Sequence, residues 1–189
     1  HDLLYLLFTN QYMEISKKSV VIHEDFQVSV DNLQPLSSIK QKSKFLRFLN
    51  LAEEMAHMSD FNKMKLGATI ILKGKVISKA FNTYKGHPIQ KFYNQNRNDH
   101  FKESTQHALH AELSALNKVK NLDLRGAEIY IYHMNNQGNP KMGRPCAGCM
   151  DAIKQRGISK IHYTTPDGIA TEEISQDKII VVNKSKKVI

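Results

Sequence analysis

Two short segments of the chain carry residue types that together make a reaction centre. The first is His110-Ala111-Glu112, and the second is Pro145-Cys146-Ala147-Gly148-Cys149. One histidine and two cysteines are three good zinc ligands. Catalytic zinc takes three protein ligands and leaves a fourth tetrahedral position for water, whereas a structural site is closed by four. The ligand set therefore predicts a catalytic Zn²⁺ held by His110, Cys146 and Cys149.

Glu112 lies two residues after His110, a spacing that directs the two side chains about 200° apart inside a helix. The two can share a pocket only where a loop enters the first turn of the helix. We therefore expect Glu112 to lie beside the zinc-bound water and not to act as a fourth ligand. Pro145 suits the start of a second helix, whose free N–H groups and dipole favour thiolate over thiol.

The order H-x-E followed by P-C-x-x-C resembles the cytidine deaminase superfamily. That superfamily includes cytidine and deoxycytidylate deaminases, tRNA adenosine deaminases and polynucleotide cytosine deaminases. The resemblance implies that zinc lowers the pKa of water from about 15.7 to about 7. Glu112 would move protons while hydroxide attacks C4 of cytosine or C6 of adenine, and ammonia would leave. A redox cysteine pair, half of a structural zinc site, or an inactive protein of the same fold are the alternatives.

Four further residues are candidates for substrate binding. Phe81-Asn82 ends a predicted strand, where the deoxycytidylate and tRNA groups carry an aromatic residue and an asparagine that contacts the sugar. The resemblance implies that role for Asn82, whose alternative is a turn-forming asparagine. Ala111 lies between the ligand and the acid, Arg144 adjoins the metal site and suits a phosphate or a base carbonyl, and Tyr163 suits stacking on a base.

Hydrophobic periodicity and turn residues predict the elements that position these side chains. Helices are predicted from Ser43 to Ala56, from the H-x-E motif to about Val119, and from Cys146 to Arg156 before Gly157; strands are predicted at Gly67–Leu72, Lys75–Phe81, Ala127–His133 and Ser159–Thr164. The resemblance implies an α/β, three-layer α-β-α fold with a mixed sheet of about five strands. The strand at residues 127–133 is expected to be central.

The position of a fifth strand has two possible solutions. Thr165-Pro166-Asp167-Gly168 has the composition of a tight turn, which favours an antiparallel hairpin with residues 169–174. In the alternative, residues 170–177 form a short helix that leads to a parallel strand at residues 179–182.

Residues 83–109 form a long connection with interleaved aromatic and basic side chains. Unstructured segments of this length are usually lids, binding loops or disordered. A substrate-facing loop and a surface or oligomer-contact loop are both consistent with this composition. The spacing of His87, His100 and His107 in the connection matches no metal-ligand motif, so surface histidines are expected.

Length and charge bound the domain organisation. The 189 residues suit one zinc-dependent deaminase domain at 41–189 and an N-terminal extension of unknown role at 1–40. The formal net charge of +9 is uneven, because residues 1–40 carry three Lys/Arg against five Asp/Glu and the rest carry 24 against 13. A basic field attracts phosphates, either on a free nucleotide or along a polynucleotide.

The cysteine count and the apolar segments bear on compartment and assembly. The proposed zinc site uses both cysteines, which leaves none for a disulfide and favours a reducing, cytoplasmic location. The apolar run at residues 3–8 is too short to span a bilayer, so no membrane association is expected. The resemblance implies a homo-oligomer, at least a dimer.

Three function classes follow from these observations. The leading one is hydrolytic deamination of a cytosine-containing nucleotide or nucleoside to the uracil form. The second is deamination of cytosine or adenine within single-stranded DNA or RNA, including tRNA. The third is a non-catalytic zinc-containing binding protein, against which the intact Glu112 argues.

Overall fold

The computed structural model of the chain describes residues 39–62, 64–95 and 108–174. In chain order its elements are α1 (Ile39–His57), β1 (Lys65–Leu72), β2 (Lys75–Phe81), β3 (Thr83–Gly86), α2 (Pro88–Asn94), β4 (Ala108–Leu109), α3 (Ala111–Lys118), β5 (Glu128–Met134), α4 (Ala147–Gln155), β6 (Lys160–Thr165) and β7 (Gly168–Glu173). Residues 1–38 of the predicted N-terminal extension (1–40) and the alternative strand at 179–182 lie outside the described residues, whereas Ile39 and Lys40 begin α1.

Five strands form a mixed sheet in the spatial order β2-β1-β5-β6-β7. Only β5 and β6 pair in parallel, and the other three pairings are antiparallel. The sheet of about five strands and its central strand, β5, are as predicted. The hairpin is also confirmed for the last strand, because β7 pairs antiparallel with β6 from Thr165 opposite Gly168 to Lys160 opposite Glu173.

The helices cover both faces of the sheet, which gives the predicted three layers. On one face α1 packs Phe48, Leu49, Ala52 and Ala56 against side chains of β1 and β5. On the other face α3 and α4 pack against the opposite side chains of the same strands. Alternate residues of β5 therefore enter different cores, with Ile129 and Ile131 toward α3 and α4 and Tyr130 toward α1.

Local sequence explains why these elements end where they do. The β1–β2 hairpin turns at Lys73 and Gly74, whose φ angles of 50° and 75° are both positive, as a type I′ turn requires. Gly157 follows α4 with a φ of 77°, the left-handed conformation that favours glycine after a helix. Both boundaries were predicted within two residues.

The connection at residues 83–109 is more ordered than its composition predicts. Its first part forms β3 and α2, and its last two residues form β4. Thr83 pairs with Leu109, so β3 lies beside the residue that immediately precedes His110. Residues 96–107, with His100 and His107, lie outside the described ranges.

None of the helices in the described ranges is both long and apolar enough to cross a membrane.

Candidate metal centre

The three predicted zinc ligands come together in the structure. The ligand atoms of His110, Cys146 and Cys149 all lie within 4.8 Å of one another. Nδ1 of His110 is 3.6 Å from Sγ of Cys146 and 3.4 Å from Sγ of Cys149. Tetrahedral Zn²⁺ with ordinary Zn–N and Zn–S bonds holds nitrogen and sulfur about 3.6 Å apart. The donor set and its spacing therefore fit zinc.

Two helix starts position the ligands. His110 is the N-cap residue of α3, in extended conformation with φ −73° and ψ 151°, and Cys146 is the N-cap residue of α4, also extended. Cys149 lies in the first turn of α4 and is fully buried. The positive ends of two helix dipoles thus meet at the cluster, where they favour thiolate ligands.

The extended backbone of His110 also solves the spacing problem posed by Glu112. Because His110 precedes the helix and Glu112 is its second residue, the two side chains are not bound to the 200° separation of a continuous helix. Glu112 is only 2% exposed. Its Oε2 atom is buried without a hydrogen-bond partner among the described residues. Such an atom costs free energy unless a water, a substrate or a proton completes it.

The ionisation of the cluster follows from burial and from hydrogen bonding. Burial raises the pKa of the Glu112 carboxyl above its ordinary value, partly opposed by positive charge on His110. A hydrogen bond with Cys149, assisted by His110, lowers the pKa of Cys146 to about 3 although burial raises it. Cys146 is thus a thiolate at neutral pH, the form that binds metal.

Asn82 occupies the position expected at the end of β2, but its side chain is largely engaged. Its Oδ1 atom accepts hydrogen bonds from the N–H of Leu66 at 2.8 Å and from Oγ of Ser59 at 2.6 Å. Its Nδ2 atom donates to the carbonyl of Met64 at 2.8 Å. In this structure Asn82 fastens the segment before β1 to the end of β2, and a sugar contact remains a prediction.

Arg144 and Tyr163 are joined by a third residue that the sequence did not single out. Glu172 on β7 accepts hydrogen bonds from Nε of Arg144 at 2.6 Å and from its Nη2 at 3.0 Å. The hydroxyl of Tyr163 donates to the same carboxylate at 2.6 Å. Tyr163 is 2% exposed, so its ring belongs to the core in this structure and not to an open stacking surface.

A second unpredicted residue lies behind the cluster. Gln90 of α2 is fully buried and accepts a hydrogen bond from the backbone N–H of His110 at 2.9 Å. A glutamine in a polar connection carries no sequence signal of burial. The proline of His87-Pro88, which suits a helix start, was the available sign of a helix here.

The chain matches a known protein family. The family model for the cytidine and deoxycytidylate deaminase zinc-binding region matches residues 40–165. That range contains all of α1 except its first residue, both ligand segments and all strands of the main sheet except β7. No curated protein sequence matches the chain.

Several solved structures are similar to this one. The apo dCMP deaminase of cyanophage S-TIM5 is 23% identical with a TM-score of 0.45, over 65% of this chain and 82% of the phage chain. The cytidine deaminase of Burkholderia pseudomallei is 15% identical with a TM-score of 0.47, over 68% of this chain and 91% of the other. A structure from work on A-to-I editing by tRNA:A34 deaminases is 20% identical with a TM-score of 0.38, over 64% and 75%.

Proposed function

Because the chain belongs to the family defined by the cytidine and deoxycytidylate deaminase zinc-binding region, it is a zinc-dependent deaminase, and we propose that its substrate is a cytosine-containing nucleotide or nucleoside. The products would be the corresponding uracil compound and ammonia. The observation that carries catalysis, as opposed to metal binding alone, is the buried and unpaired Oε2 of Glu112 beside the three ligands.

Each part of this site has a role in the proposed reaction. Bound Zn²⁺ would act as a Lewis acid that lowers the pKa of a water molecule, so that hydroxide, the attacking nucleophile, is available at neutral pH. Glu112 takes one proton of the attacking water and delivers it to the ring nitrogen. It then takes the proton of the new hydroxyl group on C4 and delivers it to the departing amine. The C4–N bond breaks, ammonia leaves and a C4 carbonyl remains. The raised pKa of Glu112 suits a group that must both accept and return a proton.

The basic charge of the chain supports a phosphorylated substrate. Lys85 is exposed on β3, whose neighbour β4 leads directly into His110. Arg144, two residues before Cys146, is held by Glu172 and reaches a phosphate only if that ion pair opens. We therefore assign the phosphate contact to Lys85 first and to Arg144 second. Asn82 is assigned to the sugar, a contact that requires one of its side-chain hydrogen bonds to open.

One observation favours the second candidate function, deamination within a single-stranded nucleic acid. Tyr84 on β3 is 52% exposed and stacks on Phe61, with ring centroids 3.9 Å apart and an interplanar angle of 19°. Asp60 holds this strand by accepting hydrogen bonds from the N–H of Tyr84 and from Oγ1 of Thr83. A rigid exposed aromatic ring is a stacking surface for a base next to the one that reacts.

Ammonia release tests the proposal directly. The purified zinc-loaded protein is incubated with cytidine, deoxycytidine, their monophosphates, adenosine and a cytosine-bearing single strand, and the Glu112→Gln variant serves as the control. Turnover of a cytosine mononucleotide or nucleoside, absent in the variant, is the expected result. Turnover of the single strand alone would replace this proposal with the second candidate, and no turnover of any compound would overturn both.

A further inference from the structure

We propose that α2 is a support for the zinc site and that Gln90 is the positioning residue through which it acts on His110. The proposal rests on the zinc site of the proposed function but not on the identity of the substrate. It gives a role to a segment whose composition resembles a surface loop, and it concerns contacts on both ligand-bearing helices.

The first contact is between Gln90 and the backbone of His110. Oε1 of Gln90 accepts the His110 N–H at 2.9 Å, and the carbonyl of His110 accepts the N–H of Ser114 at 2.9 Å. The peptide groups on both sides of His110 are therefore held by hydrogen bonds. The ring of His110 extends from this backbone toward Cys146 and Cys149, so the hydrogen bonds that hold the backbone help to set the ring direction.

The orientation of the Gln90 amide is determined by its partners. Its Nε2 donates to Oδ1 of Asn94 at 2.8 Å, while its Oε1 faces an N–H group. A rotated amide would place two donors against each other at His110, which a fully buried site does not tolerate. Gln90 at 0% exposure and Asn94 at 7% thus form one closed polar chain ending at the ligand.

The second contact is between α2 and the C-x-x-C segment. A Cβ atom added to Gly148 would lie 2.5 Å from the carbonyl oxygen of Tyr93, so the two backbones touch. Further along, the hydroxyl of Tyr93 donates to Oε1 of Gln155 at 2.9 Å. One short helix therefore bears on the segment holding Cys146 and Cys149 as well as on His110, and it keeps the two ligand groups at a set distance.

Metal binding, measured without turnover, tests the role of Gln90. Gln90→Leu has a similar volume and no acceptor for the His110 N–H, and we expect zinc affinity to fall about 10- to 100-fold, the usual effect of losing a group that orients a ligand. The Co²⁺-substituted variant should show altered d–d absorption. Gln90→Glu keeps an acceptor toward His110, and we expect it to bind zinc within about threefold of the original protein, as the bond it retains is the one that orients the ligand.

The matched control is Gln95→Leu, because Gln95 is exposed at the position that follows α2, and this change should leave zinc affinity unchanged. Zinc bound equally well by a folded Gln90→Leu would overturn the proposal. If Gln90→Leu does not fold, Gln90→Glu decides, because strong zinc loss in a folded Gln90→Glu would also overturn it. Failure of the unchanged protein to bind zinc would instead remove the proposed function, so the two failures are distinguishable.

Discussion

At the scale of single residues, the ligand Cys146 and the acid Glu112 lie in one cluster but have pKa shifts in opposite directions. The pKa of Cys146 is lowered to about 3 by its hydrogen bond with Cys149, so it is charged before a metal arrives. Glu112 has the opposite shift, a pKa raised by burial. A thiolate ready to bind and a carboxyl ready to exchange a proton therefore occur side by side.

Replacing a ligand should remove the metal. We expect the original protein to carry about one zinc per chain, and Cys146→Ser to carry far less, because a two-ligand site is too weak to retain zinc through purification. Elemental analysis after gel filtration measures this. As a control, the original protein stripped with a chelator should regain its zinc on reloading, and Cys146→Ser should not. Equal zinc content in both proteins would contradict the ligand assignment.

Replacing the acid should leave the metal in place. Glu112→Gln keeps the shape of the side chain but cannot take up a proton, so turnover should fall by about 10²- to 10⁴-fold. Zinc content should stay at the level of the original protein, since Glu112 is not a ligand. Steady-state ammonia release and elemental analysis on the same sample check both points. A variant that loses its zinc, or one that turns over within tenfold of the original, would contradict the assigned role.

At the scale of elements, the last strand is attached to the segment before Cys146 by the carboxylate of Glu172. Burial raises the pKa of Glu172, but the hydrogen bonds from Arg144 and Tyr163 outweigh it, and the net pKa lies below the ordinary value of 4.5. The carboxylate is therefore more stable in the folded protein than in the unfolded chain. Its contribution to stability is present above about pH 4.5 and is lost as the pH falls through the lower folded pKa.

Glu172→Gln tests this attachment. We expect the free energy of unfolding to fall by about 1–3 kcal/mol at pH 7, because hydrogen bonds to a charged group are lost. The difference from the original protein should start to shrink as the pH falls below 4.5, where the carboxyl of the unfolded chain takes up a proton, and it should vanish below the lower folded pKa. Urea unfolding at pH 7 and at pH 4 measures it.

The neighbouring Glu173→Gln is the matched control, because Glu173 lies on the same strand and pairs with exposed Lys160. That change should have a much smaller effect, as exposed ion pairs contribute little. A loss in Glu172→Gln that is the same at both pH values would contradict the charge argument.

The contact of α1 with β1 leaves no room for a side chain at Gly67. An added Cβ would lie 1.9 Å from the carbonyl oxygen of Ala52 and 2.5 Å from the N atom of Ala56. Gly67→Ala should therefore push α1 away and destabilise the protein by about 3 kcal/mol or more, the upper end of overpacking effects.

Gly126→Ala separates crowding from backbone strain. Apart from the adjacent residues of the chain, no described atom lies within 4 Å of its added Cβ, while its φ is +78°. It should cost only about 1–2 kcal/mol, the ordinary penalty for a side chain in the left-handed region. Thermal and urea unfolding of both variants would show which variant loses more stability. Equal losses would mean that α1 can shift without cost.

At the scale of the whole molecule, the net charge of +9 bears on what the protein binds. A free nucleotide offers one phosphate group to one or two cations, whereas a polynucleotide neutralises several phosphates at once. Binding of a cytosine-containing oligonucleotide to Glu112→Gln, measured across a salt series, distinguishes the two. We expect weak binding whose affinity falls only slightly as the salt concentration rises. A log–log slope steeper than about −2.8, which corresponds to four phosphate contacts on a single strand, would favour the nucleic-acid function.

The sequence by itself determined the ligand chemistry of the site and the chain order of the main-sheet strands and of α1, α3 and α4, but it did not predict β3, α2 or β4. The ligand set needs only residue types at short spacings, as in His110-Ala111-Glu112, and helix starts and hairpin turns depend on neighbouring residues such as Pro145 or Gly74. Residue periods of 3.6 and 2 likewise show in any segment that has one buried face. These are local properties, so they can be derived without knowledge of any tertiary contact. The turn at residues 165–168 favoured an antiparallel β7 over a later parallel strand, and the structure decided between the two.

Only the tertiary structure decided which polar side chains pair over long separations. Glu172 meets Arg144 across 28 residues, and Gln90 meets His110 across 20. Nothing in the local pattern of a glutamine or a glutamate specifies a distant partner, because the same residue types are exposed in most proteins. A buried polar group needs a hydrogen-bond partner. Burial at these positions depends on how α2 and β7 pack, and that packing forms only when the layers of the fold come together.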